Sequence, residues 1–190
     1  MLETALTRSQ ASLGKKITVK TLLSAGLIAL AVALPQIVHL ALGQPGGMQL
    51  LPMYLPVLLG GCLLGWRWAL AVGVLSPVVS FLLTSLTGTP MPALPRLPYM
   101  MAELAVFALV SGLFSKKIAQ NGWCAFPSVI LAQLAGRAVF LGLTAIFPTF
   151  TVEMIRSQIL AGWMGLAIQA VAVPLLVIAI RAVLLKDKTA

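Results

Sequence analysis

The chain has 190 residues, 60% of them hydrophobic and only 9% charged, with a mean hydropathy of +1.04. A soluble domain carries about one quarter charged residues, so this composition excludes a water-soluble enzyme or binding domain and indicates an integral membrane protein with little mass outside the bilayer. The net charge of +9 is then a topology signal rather than a nucleic-acid signal, because Lys and Arg in short loops set orientation.

Residues 1–16 are polar and end in Gly14-Lys15-Lys16. The apolar run from Thr21 to Leu34 has the look of a signal peptide, but five more apolar spans follow, so it is read as a retained first span, Ile17 to Leu42. Pro35 is expected to kink its second half. Ala25, Ala29 and Ala33 recur every fourth residue beside Gly26. Such small-residue strips let another helix backbone approach closely in lipid, either within the bundle or from a second protein. Residues Gly43 to Gln49 (GQPGGMQ) read as a flexible, uncharged loop.

Span two, Leu50 to Leu64, has Pro52 and Pro56 near its start. It is short against the about 20 residues a crossing needs, which predicts a helix starting below the membrane surface and leaving backbone free near a site. The turn Gly65-Trp66-Arg67 leads to span three, Trp68 to Leu86, where Ser76, Ser80 and Thr84 share one face. Those hydroxyls bond either to another helix or back to their own. A proline-rich stretch, Thr89 to Pro98, precedes span four, which ends at Lys116-Lys117. Lipid cannot satisfy irregular backbone, so this stretch is read as part of a binding site. Span five is Ala125 to Phe147, stopped by Pro148. A loop from Thr149 to Glu153 leads to span six, about Ile155 to Leu185 with Pro174 inside, and a basic tail, Lys186-Asp187-Lys188.

The expected fold is therefore all-α: one membrane domain over 1–190, with an N-terminal segment (1–16), a six-helix transmembrane bundle (17–185) and a short tail (186–190). Six spans place both termini on one side. With that side inside, it holds ten of the thirteen Lys and Arg; Arg96 and Arg156 fall outside and Arg137 lies within span five. The asymmetry predicts cytoplasmic termini in a multi-pass plasma-membrane protein. No internal repeat is evident, unlike the usual two-half transporter plan.

Two charges lie inside the spans, Glu103 and Arg137. A charge there costs several kcal/mol unless paired or wetted, so each is a functional candidate. At about 1.5 Å per residue, Glu103 sits about 9 Å and Arg137 about 15 Å below the same end of the bundle. They can pair with each other, contact a ligand, or do both. Gln133 and Thr144 lie near the Arg137 face. Gln158, Gly162, Gly165 and Gln169 form a polar-and-small stripe on span six, suited to a ligand pocket or to helix packing. Tyr54 and Trp163 are either belt aromatics or stack on a flat ligand, and Tyr99 opens the span that carries Glu103. Trp66, Trp68 and Trp123 read as belt aromatics. His39, the only histidine, sits at the outer end of span one as an interfacial polar residue. Cys62 and Cys124 read as small buried hydrophobes. No His/Cys/Asp/Glu cluster, phosphate-binding loop or second buried carboxylate is present in the sequence, so neither a metal site, a cofactor nor catalysis by this chain is expected.

Several motifs together resemble a known family: Leu55-Pro56-Val57-Leu58-Leu59-Gly60-Gly61, Leu64-Gly65-Trp66-Arg67, Val72-Gly73-Val74-Leu75-Ser76-Pro77, and Met91-Pro92 through Pro98-Tyr99-Met100-Met101-Ala102-Glu103-Leu104, closed by Gly112-Leu113. With the size and six spans, these are similar to the substrate-binding S component of prokaryotic energy-coupling factor (ECF) transporters. The motifs cover about a third of the chain. The resemblance implies capture of a vitamin or related micronutrient at the outer face, then delivery through a membrane T component and two cytoplasmic ATPases. It implies that Ala25, Ala29 and Ala33 dock on the T component and that Gly43 to Gln49 gates the site. Glu103, Arg137, Tyr54, Gln133, Tyr99 and Trp163 are the expected substrate-binding residues, with no metal.

Overall fold

The computed structural model describes residues 1–8, 10, 12–86, 88, 90–147 and 151–184. The helices in chain order are α1 (Leu2–Arg8), α2 (Leu13–Leu50), α3 (Tyr54–Leu64), α4 (Trp66–Leu86), α5 (Leu97–Leu113), α6 (Ser115–Gln120), α7 (Ala125–Ile146) and α8 (Val152–Leu184). Two 3₁₀ turns, Leu94–Arg96 and Gly122–Cys124, lead into α5 and α7, and no strand occurs among the described residues. Among the described residues, five stretches are helical, long and apolar enough to cross a membrane: Leu13–Gly43, Trp66–Leu86, Leu94–Leu113, Gly122–Ile146 and Gly162–Leu184. Large apolar side chains on them face outward, among them Leu40, Leu82, Leu134 and Leu175. An outward apolar surface of that extent is at home in lipid rather than water.

The sixth apolar element, α3, has 11 residues and a length of about 16 Å, half the about 30 Å hydrocarbon core. It is apolar on every side, and a helix of that kind has to be buried. All of its residues except Leu55 are buried, and it packs against α2, α4, α5 and α8. The short span is therefore the central element of the bundle.

Three expectations change. The break in α2 falls at Gly43 (φ 69°, ψ −173°), not at Pro35; a positive φ is open to glycine at little steric cost. Residues 44–50 beyond it are helical rather than a loop. Pro45 sits in the first turn of that new segment, where its missing N–H costs no hydrogen bond. The polar N-terminal segment is also partly helical and docked. Met1 and Leu2 are buried in the core, and Glu3 pairs with Lys20 at 3.3 Å. Gly65 alone joins α3 to α4, with φ 87°, which is why a glycine stands between two apolar helices. Pro148, Thr149 and the tail Lys186-Asp187-Lys188 lie outside the described residues.

The two ends of the bundle differ. At one end, a cavity of about 1090 Å³ is lined by Lys20, Arg67, Lys116 and Arg181 around the Gly65 turn. Arg181 also caps α6, donating from Nε to the Ala119 carbonyl (3.1 Å) and from Nη2 to the Gln120 carbonyl (2.9 Å). A cation is favoured at a helix C-terminus, where free carbonyls collect. The other end is formed by the start of α3, the far part of α4 and the proline-rich stretch.

Candidate functional site

Chain breaks near the start of α3 leave backbone groups without helical partners, and buried groups of that kind have to find others. Leu51 has φ 47°, sparsely allowed for a branched residue. Gln169 of α8 reaches across and donates to the Leu50 and Leu51 carbonyls, each at 2.9 Å. Gly165 keeps this approach possible, since a Cβ there would lie 2.5 Å from the Gln49 carbonyl oxygen. The stripe on span six thus serves to hold the α2–α3 break; the Gln158 side chain lies outside the described residues. Gln169→Leu is expected to leave the Leu50 carbonyl without its side-chain donor and the Leu51 carbonyl with only the Tyr54 N–H, and to cost about 1–3 kcal/mol, measured as a lower unfolding midpoint in detergent. An unchanged midpoint would mean that water reaches the break.

The proline-rich stretch is anchored from α4. Ser80 donates its hydroxyl proton to the Met91 carbonyl (2.9 Å), and the Met91 N–H donates to Thr84 Oγ1 (2.7 Å). Ser76, on the same face, bonds back to the Val72 carbonyl at 2.6 Å. Ser76 therefore bonds back to its own helix, Ser80 holds the loop, and Thr84 does both, its hydroxyl donating to the Ser80 carbonyl at 2.7 Å.

Between the anchored stretch and the α3 start lies a cavity of about 290 Å³. Its walls are Pro35 and His39 of α2, Leu51 to Tyr54, Ser80, Pro90 to Ala93, Arg96 and Met100. The lining is mostly apolar with a few polar groups, the usual character of a small-molecule site, and its volume is at the lower end of such sites.

One wall, Tyr54, leads to the buried charges. Its hydroxyl donates to Glu103 Oε2 at 2.6 Å. Arg137 Nη1 approaches Glu103 Oε1 to 3.3 Å, an ion pair without hydrogen-bond geometry, and Oε1 has no donor. The Arg137 guanidinium also lies over the Tyr54 and Phe140 rings, at 5.8 Å and 5.9 Å from their centroids, within cation–π range. Phe107 meets Tyr54 edge to face at 5.1 Å. Glu103 is 1% exposed, so an aromatic and a cation replace its water.

The structure brings together three of the six expected residues, Tyr54, Glu103 and Arg137. Tyr99 lies beside them through Phe140, with ring centroids 6.3 Å apart, and donates its hydroxyl to the Phe147 carbonyl at 2.8 Å. Gln133 instead ties α7 to α8, donating to the Leu166 carbonyl at 3.1 Å. Trp163 is 61% exposed and not among the cavity's lining residues. Thr144 bonds the Leu141 carbonyl in its own helix. Sequence reasoning missed Arg96, His39 and the Ser80–Thr84 clamp. A usable signal existed for Arg96, because it runs against the charge asymmetry of the loops. Far from this site, Ala25, Gly26, Ala29 and Ala33 are exposed on the face of α2 opposite Leu27, Ala31 and Pro35. The strip therefore packs against nothing among the described residues.

Comparison of the chain with protein-family models, curated proteins and solved structures finds no match.

Proposed function

We propose that this chain is a membrane-embedded receptor for a small molecule, and that the 290 Å³ cavity is its binding site. In this reading it is the substrate-binding S component of an ECF-type importer in a prokaryotic plasma membrane. It has six membrane segments, the short α3 included, and its basic end and termini face the cytoplasm. A T component and two cytoplasmic ATPases supply the energy.

The observation that carries the reading is the position of the cavity. It lies at the end of α3 opposite the basic residues, and basic loops stay cytoplasmic, which supports an outward-facing site. Its loop is anchored by Ser80 and Thr84, which limits the ordering cost of binding. The sequence motifs and the exposed alanine strip on α2 fit the same role.

The test is capture without energy. The purified chain in detergent is expected to hold one small molecule per chain without nucleotide, seen as a discrete added mass in native mass spectrometry. A bare chain across a panel of vitamins would sink the receptor reading. Ala29→Leu is expected to leave that binding and the unfolding midpoint within about 0.5 kcal/mol, as exposed substitutions usually do. Association with the T component is expected to fall sharply. Equal loss of ligand and partner would assign the strip to stability instead.

A further inference from the structure

We propose that the ligand of this cavity is a small, largely apolar monocarboxylic acid, and that Arg96 takes its carboxylate. The inference rests on the reading of the cavity as a receptor site and names the class of molecule it selects.

The charge inventory of the walls is one-sided. Arg96 is the only Lys, Arg, Asp or Glu among the lining residues. The carboxylate of the adjoining network, Glu103, bonds the Tyr54 hydroxyl and pairs with Arg137, and Arg96 adds only a longer-range attraction to it. Glu3, at the other end of the bundle, pairs with Lys20. Arg96 itself makes no side-chain hydrogen bond and no ion pair among the described residues, although it is only partly exposed. A guanidinium carries five N–H donors in a planar fork that matches a carboxylate. A half-buried cation beside lipid with no carboxylate in direct contact is costly. An anion from outside the chain would remove that cost.

The position of Arg96 is set in advance. It closes the 3₁₀ turn Leu94–Arg96 and lies between Pro95 and Pro98, each with a fixed φ. The stretch leading to it is held at Met91 by α4.

The other walls narrow the molecule further. Met53, Met91 and Met100 with Pro35, Pro52, Pro90 and Pro92 present apolar surface, and methionine adapts to irregular apolar shapes. His39 Nδ1 faces the Pro35 carbonyl at 2.7 Å. A carbonyl only accepts, so Nδ1 donates its proton there, and Nε2 is the ring atom left open to a ligand. A ligand hydroxyl or amide N–H satisfies it. A phosphate ester would bring a second negative charge with no second cation to meet it, and a cationic ligand would meet Arg96 with no carboxylate in the walls.

Matched probe pairs test this on the full chain in detergent. The pairs are pantothenate with panthenol, biotin with biotinamide, nicotinate with nicotinamide, and indole-3-acetate with its amide, read by native mass spectrometry and by the unfolding midpoint. The cationic vitamin thiamine and the neutral vitamin riboflavin complete the panel. At least one acid is expected to bind, about tenfold or more tightly than its neutral partner, as a charge-assisted pair implies. Arg96→Gln is expected to erase that preference, and Arg96→Lys to restore part of it. Binding of a neutral or cationic probe that Arg96→Gln leaves unchanged would overturn the acid inference while the receptor reading stands. No binding by any probe would take the receptor reading down, and this inference with it.

Discussion

Replacing Glu103 by leucine is expected to lower the stability of the folded chain by about 3–5 kcal/mol, the cost of leaving a buried partner charge without its counter-ion. Arg137 would keep its place over Tyr54 and Phe140 with no carboxylate within reach, and the Tyr54 hydroxyl would lose its acceptor. Arg137→Leu is expected to cost as much or more, because the charge it leaves unpaired, Glu103, is 2% exposed in its side chain against 16% for Arg137. The double replacement is expected to be more stable than Glu103→Leu alone, since removing both charges also removes their desolvation cost. Unfolding midpoints of the four proteins in one detergent form the double-mutant cycle. Simple additivity of the two single effects would show that the 3.3 Å approach carries no coupling, and that each group is satisfied by something else.

The second large effect lies at the other end of the bundle. Gly112, near the end of α5, faces the first residue of α4. A Cβ on Gly112 would lie 2.5 Å from the Trp66 Cα and 2.6 Å from its backbone nitrogen. Backbone cannot rotate aside as a long side chain can, so α4 and α5 have to separate. Gly112→Ala is expected to cost the upper part of about 1–3 kcal/mol. Gly142 is also helical, and nothing lies within 4 Å of a Cβ there. Gly142→Ala is expected to be neutral or to add about 0.5–1 kcal/mol, from the lower entropy of the unfolded chain and better helix propensity. Equal midpoints for the two variants would mean that α4 and α5 separate at little cost.

The buried Glu103–Arg137 pair was legible because two facts were local. Each charge interrupts an apolar run, and helical rise puts both in the same half of the bundle. Tyr54 was legible only as an aromatic near a site. That its hydroxyl would serve Glu103, 49 residues away, depends on where α3 packs. Gln133 and Gln169 illustrate the opposite error. Each looks like a ligand group from sequence, yet Gln133 and Gln169 donate to backbone carbonyls that another helix presents. A glutamine on an apolar helix has to be satisfied, and sequence does not say by whom. The loop expected at Gly43 to Gln49 failed for a related reason. Three glycines and a proline read as irregular, but one positive φ at Gly43 absorbs the break, and Pro45 is tolerated in the first turn that follows.

Hydropathy is a sum over neighbouring residues, so the sequence by itself determined the helical class, the five long apolar spans, the shortness of α3 and the one-sided distribution of basic residues. Partner choice is not such a sum. Only the tertiary structure decided that α3 is the central helix, that Ser80 and Thr84 clamp Met91, that the alanine strip of α2 faces away from the bundle, and that Arg96 stands at a cavity with no carboxylate in direct contact. The clamp depends on which polar groups lie within about 3 Å of each other, and all four are set by the packing of helices far apart in the chain.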